Sequence, residues 1–462
     1  MNITLNKSMF SRKNFYIFFA IILVMKIIFA CGVFYKNPDY VTLPDSGDYS
    51  NFARQILAQG VFVPDVTTNP LGLAEIAPGY PLLMSFFYLF SDSPLLQVIF
   101  NVIMSHLISL FAFKIGLLLF KNNALSFLSA TMVMLSPMIM YYSLIILKEP
   151  TSSLLFIWLI YLIILYYIVG KKEYSLKTYI WHIVGIGAIT TFLIHTDERF
   201  VIHILLIMIV ILIFDSSSIK MRILTVISYG VLIILLSLPW AIRNHSVYGR
   251  PMFLSCRTAP YSDVLLTKLG FEWENKNRLP LDCFPRGCNA YTSIQISDAV
   301  LDSIEAGFIP TSLDLRAVEH IIMGLEVGIR PYQFSDIHRY WSNFIEFFRI
   351  ADFENDFRAS GFVFTAPWSL KHNIISIFVC AIVLPGFIIA LFITIKNRII
   401  LFMMLLIAWH AFYHIFIEYA EDRYRIPLSP LITIISMYGY WMVYLKWQQY
   451  SNNKKITKGV DL

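Results

Sequence analysis

Charge is scarce in this chain: Asp, Glu, Lys and Arg make up 14% of its 462 residues, where soluble domains run at about 25%. That deficit excludes a soluble globular protein. It also excludes a disordered one, which is rich in charge and poor in apolar side chains. Cysteine is scarce as well, and five in this length cannot knit a disulfide scaffold. Neither sign of charge dominates: 36 Lys and Arg against 30 Asp and Glu leave a net +6. So slight a surplus does not grip a polyanion, and a nucleic-acid partner is set aside. No long repeat or inverted repeat is visible. What the chain does have is apolar surface. Hydrophobic residues make up 57%, with 38 Phe, 26 Tyr and 9 Trp among them, a mixture no low-complexity polymer shows. The composition describes an integral, polytopic membrane protein built of helices.

Nothing in the bilayer core can hydrogen-bond a bare peptide group, so a crossing segment is a helix of about 20 mostly apolar residues. About ten runs read as spans: Asn14–Phe34, Pro94–Phe120, Ala124–Ile146, Thr151–Val169, Tyr179–Ile194, Phe200–Phe214, Ile223–Trp240, Asn373–Ile395, Ile399–Ile417 and Ile426–Tyr444. The first competes with a cleaved signal peptide, because Ile28-Phe29-Ala30-Cys31 faintly resembles a lipoprotein cleavage site. The bulky Phe29 and the length of the run favour an uncleaved anchor. Tyr80–Phe90 is apolar but about eleven residues long, too short to cross.

Orientation decides how that segment lies. With the N-terminus inside and Tyr80–Phe90 along the interface, the inner loops carry Lys121, Lys171, Lys172, Lys177, Lys220, Arg222, Lys396 and Arg398, then Lys446, Lys454, Lys455 and Lys458. The short basic loops then fall on the cytoplasmic side, as the positive-inside rule requires; a crossing would move them all outside. The expected organisation is a transmembrane module over 1–240 with a first outer loop at 36–93, then an external subdomain over 241–372. C-terminal helices over 373–447 and a cytoplasmic tail over 448–462 complete it, with both termini inside. In the external segment, Cys283 and Cys288 are spaced to close a short disulfide loop or to remain thiols beside Cys256, with no His at zinc-site spacing. The aromatic stretch Tyr332–Ile350 reads as an interface-hugging helix or as a stacking face for a sugar or lipid. His106, His203 and His410, inside spans, are expected to hydrogen-bond between helices.

The chemically unusual residues fall on the outer side. Pro44-Asp45-Ser46-Gly47-Asp48-Tyr49 opens a helix expected over Asp48–Gln59, and read alone it makes Asp45 or Ser46 a cap. Ala77-Pro78-Gly79-Tyr80-Pro81 reads alone as a rigid turn into the interfacial helix. Glu149, between Lys148 and Pro150 at a helix mouth, reads alone as a solvated end charge. Company changes that reading. Topology puts Asp45, Asp48 and Glu149 on one face, where a carboxylate cluster binds a divalent cation or takes a proton. Arg199, Arg243, Arg423 and Arg425 join them, the last two flanking Tyr424. Each arginine alone is an interfacial anchor, but guanidinium groups are also suited to gripping phosphate oxygens in pairs. Outward acids with outward arginines point to a site for a phosphorylated lipid.

Four stretches carry a family resemblance. Asp45-Ser46-Gly47-Asp48-Tyr49, followed by Ala53, Leu57 and Gly60, resembles the acidic first-loop motif and helix of GT-C glycosyltransferases. The branch is the bacterial family-39-like one, related to protein O-mannosyltransferases and aminoarabinose transferases. Pro78-Gly79-Tyr80-Pro81 is similar to the proline pair that follows in that family. Pro239-Trp240-Ala241-Ile242-Arg243-Asn244 resembles the end of its central span, and Arg423-Tyr424-Arg425-Ile426-Pro427-Leu428-Ser429-Pro430 the start of a late one. The chain departs at Ser46, where some relatives have Glu, and at Ala77, where the aminoarabinose branch has Lys.

The resemblance implies an all-α, GT-C-like bundle of about ten transmembrane helices, with interfacial helices in the first outer loop and an external loop subdomain. It implies a place in the bacterial cytoplasmic membrane. It further implies transfer of a sugar from a polyprenyl-phosphate donor (undecaprenyl phosphate in bacteria) to a glycan, lipid or protein acceptor on the extracytoplasmic face. Asp45 stands at what resembles the family's catalytic carboxylate, and Glu149 at its second acid. On this reading Asp45 is the base, with Glu149 and Asp48 as helpers or as ligands of a divalent metal, whose presence stays open. Arg199, Arg243 and Arg423 steady the phosphate, while Tyr49, Tyr80 and Tyr424 line the site. Single displacement of this kind inverts the anomeric carbon. A transporter or flippase of lipid-linked sugars, or a glycan polymerase or ligase, is the competing reading. The transporter expects charges along a mid-membrane path, where Lys26 and Lys114 are the obvious ones in the spans.

Overall fold

A backbone shielded from water must bond to itself, and in the computed structural model the described residues do so as helices, with no strand among them. Those residues are 11–42, 44–59, 77–169, 176–215, 217–248, 253–254, 341, 344, 368–393, 397–417 and 422–459. The expectations for Cys256, Cys283 and Cys288 and for most of 241–372 lie outside them. Of the aromatic stretch, Trp341 and Phe344 are described, exposed and with rings stacked at 5.6 Å.

Helix α1 spans Arg12–Lys36, α2 Pro44–Gln59, α3 Gly79–Tyr88 and α4 Pro94–Phe120. Two shorter helices follow, α5 at Asn123–Met134 and α6 at Pro137–Ser143. Helix α7 covers Glu149–Ile163 and runs on as a π turn, Ile164–Ile168. Then come α8, Leu176–Thr196; α9, Val201–Phe214; and α10, Ile219–Tyr248. Helix α11 is Trp368–Ile393, and α12, Arg398–Phe412, widens into a π turn at Tyr413–Ile417. A 3-10 stretch, Asp422–Leu428, leads into α13, Ser429–Gly459. Every expected span therefore falls largely on helix. Among the described residues, seven helical segments are long and apolar enough to cross a membrane. The chain is a polytopic membrane protein.

Two boundaries differ from the sequence reading. Ala124–Ile146, expected as one span, is two helices. Pro137 lacks an N–H and keeps Ser136 extended, with ψ at 120°. After α6 the chain stays non-helical through Leu147 although Leu144–Leu147 are buried. Its peptide groups are served from elsewhere: Asn101 of α4 donates through Nδ2 to the carbonyls of Ile145 (2.7 Å) and Leu147 (3.3 Å). The Ile146 N–H reaches the Val41 carbonyl at 2.9 Å. Helix α2 begins at Pro44 rather than Asp48, because a proline at the first helical position costs no hydrogen bond. Asp45 and Ser46 are thus inside the first turn rather than capping it.

Helix α3 has ten residues, about 15 Å of rise, and cannot cross. Tyr80, Met84 and Tyr88 are buried against the bundle, while Leu82, Phe86, Leu89 and Phe90 are exposed, as suits an interfacial helix. Helices α8 and α10 run in parallel. Tyr179 meets Thr225, Tyr229 donates to Thr190 at 3.0 Å, and Gly187 lies against Leu232. The C-terminal ends of α8 and α10 and the N-terminal ends of α7, α9 and α13 therefore gather at one end of the bundle.

Candidate functional site

Glu149 occupies the first turn of α7, where unsatisfied amides favour a negative charge. It is not the solvated end charge that its position alone suggests: its exposure is 1%. The strap before it, pinned by Asn101 and Val41, leaves it little freedom. Across from it, Asp197 and Arg199 sit in the turn between α8 and α9. Asp197 accepts from Arg199 Nε at 2.7 Å and from Nη2 at 2.5 Å, with Lys148 Nζ at 3.4 Å. Arg199 Nη2 is also 3.6 Å from Glu149 Oε1. Two acids and two bases thus share one buried cluster.

Their charges are mutually dependent. Burial alone would raise the Asp197 carboxyl, but the charges and hydrogen bonds of Arg199 and Lys148 outweigh it and hold the carboxyl well below the ordinary range. Burial would likewise lower the Arg199 guanidinium, and Asp197 reverses that. Arg199 also lies over the Tyr424 ring, 4.0 Å from its centroid. Its Nη1 nitrogen is buried and has no hydrogen-bond partner among the described residues. That is the donor Arg199 has left to offer an incoming anion.

The first-loop motif reaches this cluster through two tyrosines. Tyr80, at the start of α3, donates to Asn101 Oδ1 at 3.3 Å. Burial first, and the nearby Glu149 charge with it, push its hydroxyl above the ordinary tyrosine range against the pull of the Asn101 bond, so it stays protonated. Tyr49 of α2 meets the Tyr80 ring edge to face at 5.1 Å. Asp45 lies one turn before Tyr49 on the same helix face. Asp45 and Asp48 are half-buried. The α3 end is fixed by Gly79, where a Cβ would sit 2.7 Å from the His195 carbonyl. The Pro78-Gly79-Tyr80-Pro81 motif is therefore a close backbone crossing with α8 that aims Tyr80 inward.

Arg243 belongs to a second cluster at the end of α10. It lies 4.7 Å over Trp240 and donates to Asn244 Oδ1 at 2.7 Å. Trp240 and Asn244, one turn apart, both donate to the Leu254 carbonyl, at 2.9 and 3.2 Å. Arg425, half-buried, reaches Met138 Sδ at 4.0 Å; of Arg423 only the backbone is described. The structure thus joins Glu149, Arg199 and Tyr424 by contact, and sets Tyr49 against Tyr80, whose hydroxyl feels the Glu149 charge; Asp45 lies one turn from Tyr49 along α2. Arg243 sits at the same end of the bundle.

Sequence reasoning gave no role to Asp197 or Asn101. Their signals are an acid two residues before an arginine between two spans, and a lone amide inside an apolar run. Among the described residues, no group of three or more His, Cys, Asp or Glu comes together in metal-binding geometry.

No family model matches the chain, and no curated protein does. Among solved structures, it is similar to the archaeal oligosaccharyltransferase AglB from Archaeoglobus fulgidus, in complex with an inhibitory peptide and a dolichol-phosphate. The TM-score is 0.50 at 13% identity, covering 95% of this chain and 52% of that one. The chain spans about half the length of that relative. At such identity the likeness speaks to fold alone: an all-helical membrane bundle.

Proposed function

We propose that this chain is a membrane glycosyltransferase that moves a sugar from a polyprenyl-phosphate donor to an acceptor outside the bacterial cytoplasmic membrane. The observation that carries the reading is the buried Glu149–Arg199–Asp197 cluster, on a GT-C-type bundle and at the same end as Asp45. The archaeal relative's complex with a dolichol-phosphate supports a lipid-phosphate donor. The basic inner loops support cytoplasmic termini and an extracytoplasmic site.

In the proposed reaction the acceptor oxygen attacks the anomeric carbon and its proton passes to the Asp45 carboxylate. The bond from that carbon to the phosphate oxygen breaks, and the electron pair leaves on polyprenyl phosphate. A phosphate departs without being protonated, so the site needs one base and positive charge rather than the paired acid and base of a hydrolase. Glu149 and Asp48 assist the base. Arg243, Arg423 and the Nη1 of Arg199 meet the phosphate, with Tyr49, Tyr80 and Tyr424 lining the approach. Asp45 and Glu149 carry no metal in this scheme, and no step runs through one.

Membranes containing the chain, incubated with radiolabelled polyprenyl-phosphate sugars and a panel of glycan, lipid and protein acceptors, test the reading. Label is expected on one acceptor class, with inverted stereochemistry. Label that only crosses the bilayer, still on its lipid, would favour a flippase instead.

A further inference from the structure

Behind Arg199 stands a row of imidazoles that the proposed reaction does not use. His203 of α9, His410 of α12 and His414 of the following π turn are 1%, 2% and 0% exposed. Their ring centroids are 5.1 Å apart from His203 to His410 and 4.6 Å from His410 to His414. Phe156 and Phe200 pack around His203 at 5.1 and 5.3 Å. An apolar ring would fill such a space without the cost of burying polar nitrogens, so the imidazoles need a reason.

We propose that His410 and His414 are positioning residues that set the Arg199 guanidinium through Tyr424. The functional part of this inference rests on reading the site as one that receives a polyprenyl phosphate. His410 Nε2 lies 3.0 Å from the Tyr424 carbonyl. A carbonyl only accepts, so that nitrogen carries the proton and donates. This bond ties the 3-10 stretch at Tyr424 to α12. The His414 ring then lies 4.9 Å from the Tyr424 ring, at 33°. The widened π turn leaves His414 buried beside His410 and in contact with Tyr424; such turns recur at functional sites. Tyr424, held at its carbonyl by one histidine and against its ring by the other, is the surface on which Arg199 rests at 4.0 Å. Arg199 in turn reaches Glu149 and Asp197 with Nη2 and keeps Nη1 clear of partners among the described residues. A shift of Tyr424 therefore moves the nitrogen that Arg199 has left to meet an anion.

The test uses the full chain in lipid nanodiscs, with sugar-free polyprenyl phosphate as the probe and thermal midpoints measured alongside. His410→Leu is expected to weaken binding about tenfold, the equivalent of one lost hydrogen bond. His410→Gln keeps an N–H at similar reach and is expected to restore binding to within about twofold. In an Arg199→Leu background, His410→Leu is expected to cause no further loss of binding, because both act on one contact. Additive losses, or a Gln variant as weak as the Leu variant, would overturn the positioning role. If the wild-type chain fails to bind the probe, the donor reading falls and the thermal midpoints decide. Losses of midpoint in the double variant smaller than the sum of the two single ones support the coupling through Tyr424, and additive losses refute it.

Discussion

Asp197 is fully buried and bonded to two cations, and its consequences follow from that. Removing one partner of a buried pair leaves the other charge uncompensated, typically at about 3–5 kcal/mol. Asp197→Asn is therefore expected to lower stability by a few kcal/mol, read as a depressed thermal midpoint in detergent. The pH dependence has a definite sign. The folded carboxyl titrates well below its unfolded value of about 4. Its contribution is thus complete above that value and drains away as pH falls toward the folded pKa. The midpoint difference between wild type and Asp197→Asn is expected to hold from about pH 7 to pH 5 and to shrink below about pH 4. A difference that grows on acidification would contradict the ion-pair assignment.

At the scale of elements, α3 and α8 meet backbone to backbone. A methyl group at Gly79 would lie 2.7 Å from the carbonyl carbon and oxygen of His195, and neither can swing aside. Gly79→Ala is expected to cost about 1–3 kcal/mol by overpacking and to reduce transfer, since Tyr80 turns with the helix. At Gly47 in α2, by contrast, a methyl group would meet none of the described residues within 4 Å. Gly47→Ala is expected to leave stability unchanged or raise it by up to about 1 kcal/mol, read as a midpoint that is the same or higher. Equal losses in both variants would remove the close crossing from the explanation. This element scale is also where the sequence is most legible. Runs such as Pro94–Phe120 and Tyr179–Ile194 declare themselves because lipid demands continuous helix. The break between Pro137 and Glu149 does not. The residues there are as apolar as a span, and what releases them from helix is Asn101, far away in the chain. Apolar pattern carries no record of such a partner.

At the scale of the whole molecule, alternation of spans is what leads the sequence to expect Asp45, Glu149 and the arginines on one face; in the structure Glu149, Arg199 and Tyr424, from three separate elements, meet. The internal pairing was not legible. Asp197 looks like a surface charge until the turn between α8 and α9 folds it against Lys148. Arg199 looks free for phosphate until Asp197 and Glu149 claim most of it. Membrane sidedness has its own check. In a cysteine-free background, Asp92→Cys, beyond α3, is expected to react with a membrane-impermeant maleimide on intact cells. Asn123→Cys, at the start of α5, is expected to react only after permeabilisation. The reverse pattern would invert the topology.

The account turns on Asp45 as the base. The direct measurement is the single-turnover rate of sugar transfer from a polyprenyl-phosphate donor by wild type and by Asp45→Asn, both inserted normally in membranes. The account expects the variant to be slower by about 10² or more, with donor binding largely kept. Transfer at close to the wild-type rate would contradict it.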